Sequence, residues 1–226
     1  MRRDRCTVSR AEVTAVCECL AKTYPASRLG NKRNPLDEYL FILLSLRTHE
    51  GGYTRAYRSF KHTFRSWLDV DKASVGKIAA AIRVGGLADQ KAQRIKRAIG
   101  VIKDVLGELS LRKLRSYDPD DAEMFLCMLP GIGVKCARCI MMYSLGMRVL
   151  PVDTHVWRIS RRLGWLDDGC TAIEAHSALA RLVPERKHFR FHVTCVQHGR
   201  VCCRGQYPRC STCCLLRYCR RVGVRG

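Results

Sequence analysis

Cys203, Cys210, Cys213 and Cys219 stand in a C-x6-C-x2-C-x5-C run. Four thiols in so short a stretch can close on one metal centre, either a tetrahedral zinc ion or an iron–sulfur cluster. Structural zinc sites usually pair two short knuckles. Here only the middle pair has the C-x2-C spacing, and the longer outer gaps suit a cluster, which is wider than a single ion. Ligating thiols must stay reduced until the metal arrives. The chain holds 14 cysteines, and no apolar stretch follows Met1-Arg2-Arg3-Asp4-Arg5, so neither a secretory signal nor a disulfide scaffold is expected. No apolar run approaches the roughly 18 residues of a membrane span. The stretch from Leu36 to Leu46 is shorter and is broken by Asp37 and Glu38.

At 226 residues the chain can bury a core as one domain or two small ones. Its formal charge of +21 calls for a polyanionic partner. The excess is uneven: nine Lys or Arg residues and no Asp or Glu lie between Lys187 and the end. Arg204, Arg209 and Arg217 fall inside the cysteine run. A basic tail wrapped round a metal-stapled loop reads as a phosphate-binding surface. An anionic membrane would call for a basic amphipathic helix with bulky apolar anchors, which the tail lacks.

The pattern is helical nearly throughout. Asn34-Pro35 is a helix start, with Asn as N-cap and Pro in the first position, and Leu36, Leu40, Leu43 and Leu44 then recur at helical spacing. Asp118-Pro119 opens another helix. Further helices are expected over 10–24, 52–66, 73–83, 88–106, 134–145, 154–164 and 171–182. Links are expected at Gly51-Gly52, Gly85-Gly86 and Gly146. No alternating run of Val, Ile and Thr predicts a sheet, so the expected class is all-α.

Between two of these helices lies Leu129-Pro130-Gly131-Ile132-Gly133-Val134-Lys135. Gly131 and Gly133 let the backbone turn sharply and approach a partner closely. The helix that follows at once points its unpaired N–H groups out of the turn, an anion site for a nucleic-acid phosphate. Lys135 sits in the first turn. A free lysine, with a pKa of about 10.4, is protonated at neutral pH. A helix N-terminus disfavours that charge, and burial in a cleft would favour the neutral amine further. The position is poor for stability and good for a nucleophile. A phosphate-contacting lysine is the plainer alternative. Asp153, before Thr154 and a helix, is an N-cap candidate on its own terms.

Leu129 to Lys135 resembles the helix–hairpin–helix of the endonuclease III branch of DNA glycosylases. Val152-Asp153-Thr154-His155 resembles the motif that follows it, and His198-Gly199-Arg200 with the four cysteines resembles the cluster loop. The resemblance covers about residues 30 to 220. It implies two helical lobes with DNA bound in the cleft: a helical barrel over 33–147 that carries the hairpin, and a discontinuous cluster domain of 1–32 plus 148–226. It implies a 4Fe–4S cluster on Cys203, Cys210, Cys213 and Cys219. Lys135 is implied as the nucleophile and Asp153 as the catalytic carboxylate. Gly131, Ile132, Gly133, Arg204 and Arg209 are implied as DNA contacts. His155 has no chemical role in this reading and is taken as structural. Cys136 and Cys139 are read as small core residues. The implied partner is double-stranded DNA with a damaged base or an abasic site, bound by an intracellular monomer. Its place would be the cytoplasm or nucleoid in a prokaryote and the nucleus in a eukaryote.

The sequence departs from the family at the wedge that fills the gap left by an extruded base. Leu44-Ser45-Leu46-Arg47-Thr48 carries Arg47 where the family usually has glutamine, while Leu87 matches the second inserted residue. Arg47 can donate to an orphaned base but cannot accept, or it can bind phosphate. Leu87 can equally be core. Cys202 and Cys214 adjoin two proposed ligands, which leaves room for slippage in the ligand set. The implied activity is a bifunctional glycosylase and AP lyase acting on oxidised pyrimidines. Trp157-Arg158-Ile159 and Arg162-Leu163-Gly164-Trp165 also resemble plant 5-methylcytosine glycosylases, and mismatched thymine is a further substrate on the same scaffold. A non-catalytic DNA-binding protein with a zinc-stapled tail is the alternative outside enzymes.

Overall fold

A computed structural model describes residues 8–167 and 169–224. The segment Met1 to Arg5, read above for an export signal, lies outside them. Eleven α-helices occur among the described residues, and no strand. They are α1 (Arg10–Thr23), α2 (Pro35–Ser45), α3 (Glu50–Thr63), α4 (Trp67–Lys72), α5 (Val75–Ile82), α6 (Ala88–Leu106), α7 (Pro119–Met128), α8 (Val134–Ile140), α9 (Thr154–Leu163), α10 (Ala172–Leu182) and α11 (His188–Val201). The chain divides into two compact units, one of Gly30–Met147 and one of Met1–Leu29 with Arg148–Gly226. Among the described residues, no helix is long and apolar enough to cross a membrane.

In the 30–147 unit, α2 is the central helix. Asn34 caps it, its Oδ1 accepting from the amides of Leu36 (3.0 Å) and Asp37 (3.2 Å), with Pro35 in the first position as its fixed φ favours. Leu36, Tyr39, Leu40, Ile42, Leu43 and Leu44 are all buried, so this helix is wrapped by others rather than laid on a surface. Helix α3 packs on α2, and α5 on α6. Gly51-Gly52 is not a link: both glycines lie in the first turn of α3, where His49 Nδ1 accepts from the Gly52 amide at 3.1 Å. A Cβ on Gly52 would meet Thr48 Cγ2 at 3.0 Å, so this glycine serves close packing. The expected helix 134–145 is α8 running into one wider π-type turn over Met141–Leu145. Ser144 is buried there. Its hydroxyl donates to Lys32 O (2.7 Å), and its carbonyl accepts from Arg115 Nη2 (3.0 Å).

The other unit centres on α1, α9 and α11. Val13, Val16, Cys17 and Leu20 of α1 share its core with Val156, Ile159, Leu163, Leu179, Phe191 and Cys195. The stretch from Lys187, read from charge as a tail, opens instead with a helix: α11 runs from His188 to Val201 and is mostly buried. Its sequence hid this because His188, His192 and His198 look polar, yet each is buried with a partner. His188 bonds Val183 O (2.9 Å) and Arg148 O (3.2 Å), His192 bonds Pro151 O (3.0 Å), and His198 bonds the Tyr24 hydroxyl (2.9 Å). Imidazoles satisfied in this way are tolerated in a core.

Phe191 is 1% exposed and stacks on Trp165 at a centroid distance of 5.9 Å. Phe191→Ala is expected to lower unfolding free energy by about 3–5 kcal/mol. Urea denaturation checks this, and a loss below about 1 kcal/mol would mean that α11 is not a core helix.

Candidate active site and metal centre

The hairpin turn forms where α7 ends against buried Leu129. The Ile132 amide bonds Leu129 O at 3.1 Å, closing the turn, and Ile132 itself is buried. Tyr39 Oη donates to Pro130 O at 3.2 Å, so the turn rests on α2. Gly131 has φ +88°. A Cβ there would lie 2.9 Å from Leu43 Cδ1 and 3.3 Å from Arg94 Nη1, so both conformation and space require glycine. Gly133 then opens α8 without a side-chain cap. The first-turn amides can therefore receive an outside anion. Lys135 is the second residue of α8 and is exposed. The burial expected to favour its neutral form is thus not supplied by the chain alone. The Arg138 guanidinium pairs with Glu123 at 2.5 Å, tying α8 to α7. Cys139 is buried and Cys136 half-buried within this same unit.

Arg47 and Leu87 lie in one region of the 30–147 unit. Together with Leu46, Gln90, Lys91 and Arg94 they line a cavity of about 390 Å³. Both have φ +53°. Arg94, half-buried, thus lies over Gly131 and also lines this cavity. Neither Lys91 nor Arg94 stood out in the sequence, where both fall within the helix expected over 88–106.

In the other unit Asp153 is the N-cap of α9. Its Oδ1 accepts from the amides of His155 (3.0 Å) and Val156 (2.8 Å). Among the described residues nothing bonds Oδ2, so a single carboxylate can cap a helix and still face a reactant. His155 Nδ1 accepts from Arg158 Nη2 at 3.0 Å, and burial holds its pKa below the usual histidine value, with the charges of Arg158 and Arg200 adding to the effect and Asp153 opposing it. A Cβ on Gly199 would lie 2.3 Å from that nitrogen, so His155 packs straight onto the backbone of α11.

The cysteine loop is held by two arginines of α9. Arg158 donates to Cys203 O from Nη2 (2.8 Å) and Nε (3.1 Å), and to Gly199 O (3.1 Å). Arg162 is buried; it donates to Arg204 O (2.6 Å), Gly205 O (2.9 Å) and Cys203 Sγ (3.2 Å). One helical turn separates the two, so both forks face the loop. That i, i+4 pair was the available sequence signal. The Arg204 and Arg209 side chains are exposed, and Arg209 borders a groove of about 1000 Å³ with Arg162, Tyr207 and Arg221. Tyr207 is 90% exposed.

Four neighbouring thiols differ in their bonding. Cys203, Cys213 and Cys219 pack against the unit's core. Cys210 opens a short turn that bonds the Cys213 amide at 3.2 Å. His198, Cys202 and Cys213 place their ligating atoms within 4.8 Å of one another. The Cys202 and Cys219 thiols each donate to a main-chain oxygen, Arg209 O and Arg162 O, both at 3.3 Å, whereas Cys203 Sγ accepts from the Arg162 guanidinium. The carbonyl of Cys214 accepts from Cys19 Sγ of α1 at 3.0 Å. Burial pushes the Cys213 thiol up to about 12 and raises that of Cys219. Burial raises the Cys17 and Cys195 thiols as well, so the shift marks buried sulfur in general; a metal at the cysteine loop would have to displace the protons of Cys213 and Cys219.

Residues 42–185 match the HhH-GPD superfamily of base excision DNA repair proteins. The chain belongs to that superfamily. It is 30% identical over 207 residues to endonuclease III of Thermotoga maritima, covering 92% of each chain. It is 35% identical over 167 residues to an Arabidopsis thaliana protein itself assigned only provisionally as a DNA glycosylase; this alignment covers 74% of the chain and 57% of that longer protein. Among solved structures it is similar to an endonuclease III in a non-covalent complex with DNA, with a TM-score of 0.80 and 26% identity, covering 95% of this chain and 97% of that one. The fold is therefore that of an endonuclease III-like helix–hairpin–helix glycosylase.

Gly131→Ala forces a Cβ onto Leu43 in a left-handed backbone. It is expected to cost about 1–3 kcal/mol, measured by thermal or urea unfolding. Gly133→Ala, with nothing within 4 Å of the added carbon and φ −111°, should cost well under half of that. Equal costs would mean that the turn is not set by packing against α2.

Proposed function

We propose that the chain is a bifunctional DNA glycosylase and AP lyase that removes a damaged, oxidised pyrimidine and then cuts the strand. The observation that carries this reading is the turn itself. A glycine pinned against α2 leads into an uncapped helix start, and the first-turn side chain beside those open amides is Lys135. A solved endonuclease III trapped covalently on DNA, with a TM-score of 0.80 and 26% identity, supports the same chemistry.

The steps are these. Extruding a nucleotide costs a few kcal/mol, least where the base is poorly paired. The first-turn amides lie where a backbone phosphate would be bound, and desolvation by DNA would favour the neutral Lys135 amine that exposure in the free chain does not. The Lys135 amine attacks C1′, the N-glycosidic bond breaks, and the base leaves with the bonding pair and a proton. Asp153 stabilises the positive charge that builds on the sugar and accepts a proton from the lysine. With the base protonated by water, the nitrogen lone pair breaks the C1′–O4′ bond, O4′ takes the proton from Asp153, and the opened sugar is an iminium that acidifies C2′–H. Loss of that proton expels the 3′ phosphate, and water then releases Lys135.

Cys203, Cys210, Cys213 and Cys219 would hold a 4Fe–4S cluster. Its iron would offset four half-buried thiolates and order the loop that displays Arg204 and Arg209 to DNA. Gly131, Ile132 and Gly133 would bind phosphate through their backbone. Trp157-Arg158-Ile159 and Arg162-Leu163-Gly164-Trp165, which resemble plant 5-methylcytosine glycosylases, keep that base as a second substrate reading on the same scaffold.

Borohydride treatment with a panel of single-lesion duplexes should trap a covalent complex with wild type. Lys135→Gln should lose it and lower excision by at least roughly a hundredfold. Asp153→Asn keeps a good cap, so it should melt like wild type while excision falls by about 10²–10³. Undiminished trapping by Lys135→Gln would sink the nucleophile assignment. The purified protein should be brown with about four irons per chain. A colourless, zinc-loaded protein would instead support the non-catalytic reading.

A further inference from the structure

Among the described residues of the 30–147 unit, Arg47 and Leu87 are the two non-glycine residues at positive φ. A left-handed backbone is unfavourable for both and persists only where the surroundings impose it. They lie forty residues apart in sequence, yet they line one cavity.

Lys91 connects them. It belongs to the first turn of α6 and is 2% exposed. Its Nζ donates to Leu44 O at 2.6 Å, near the end of α2, and to Thr48 Oγ1 at 2.7 Å. The Thr48 hydroxyl in turn donates to Gly85 O at 2.9 Å. One buried amine therefore ties the segment on both sides of Arg47 and, through Thr48, the turn that leads to Leu87. Gly85 is itself locked: a Cβ there would lie 2.8 Å from that of Ala56 on α3. Burial lowers the pKa of Lys91, and the charge of Arg94 adds to this. An amine so costly to bury is kept only where its hydrogen bonds are needed.

We propose that Lys91 is a positioning residue that holds Arg47 and Leu87 poised on the rim of one cavity, so that the two enter the duplex as a single preformed wedge when a nucleotide leaves the stack. This rests on the glycosylase reading above. Two of the three Lys91 donors are spent inside the protein, on Leu44 O and Thr48 Oγ1, so its part is to position rather than to contact DNA. Loop ordering is then completed on folding rather than at binding, which favours the distorted duplex over the undamaged one.

The test compares wild type, Lys91→Met and Thr48→Val. Affinities are measured at one salt concentration for a duplex carrying a tetrahydrofuran abasic analogue and for the same duplex undamaged. A 2-aminopurine opposite the analogue reports insertion. Lys91→Met should lower the ratio of the two affinities about tenfold and blunt the 2-aminopurine response, because the wedge must now be ordered at binding. Undamaged affinity, set by phosphate contacts, should stay within about twofold. In the free protein, amide hydrogen exchange at residues 45–48 and 85–87 should quicken. A folded Lys91→Met with the wild-type ratio, or equal losses on both duplexes, overturns the proposal. If Lys91→Met does not fold, Thr48→Val carries the same comparison, since it deletes only the hydroxyl relay; an unchanged ratio there also overturns it. If wild type shows no preference for the abasic analogue, the glycosylase reading has failed, and the wedge inference falls with it.

Discussion

Every α-helix begins with amides that its own turns cannot satisfy, and the manner in which this chain satisfies them shapes both units. Eight of the described helices take a side-chain cap: Ser9, Asn34, His49, Ser66, Ser74, Asp118, Asp153 and Thr171. Three do not: α6 after Leu87, α8 after Gly133 and α11 after Lys187. Two of these three starts coincide with turns proposed to meet DNA. A cap there would close the anion site or displace the wedge. Asp153 shows the opposite solution, in which the cap is itself the proposed functional carboxylate.

Buried and half-buried cations form the second layer. Lys91 in one unit, and Arg158 and Arg162 in the other, are spent on backbone carbonyls rather than on acids. A carbonyl is fixed by the chain, so a cation bonded to several of them orders a loop that lacks regular structure. In this way a chain with a charge of +21 turns part of its excess inward as scaffold. Others, including Arg204 and Arg209, remain exposed for a polyanion.

Much of the fold was legible because local rules agreed. Asn34-Pro35 and Asp118-Pro119 start helices where cap and proline coincide, and α6 follows its apolar period over its whole length. Two helices were not legible. Helix α4 is short and relies on the Ser66–Asp69 capping box. Helix α11 is buried nearly all round, so it has no polar face to set its period, and its histidines read as surface until their carbonyl partners are known. Gly51-Gly52 read as a break because glycine propensity is a weak prior, overridden here by close packing against Thr48.

The amino-acid sequence alone determined the all-helical class, the cysteine spacing, the glycine-rich turn and the positions of Lys135 and Asp153, since each depends on neighbours a few residues away. Only the tertiary structure decided that Gly131 is required by Leu43, that Arg158 and Arg162 hold the cysteine loop, and that Lys91 joins the segments bearing Arg47 and Leu87. These depend on groups distant in sequence, whose meeting is set by how helices pack, and no local pattern carries that information.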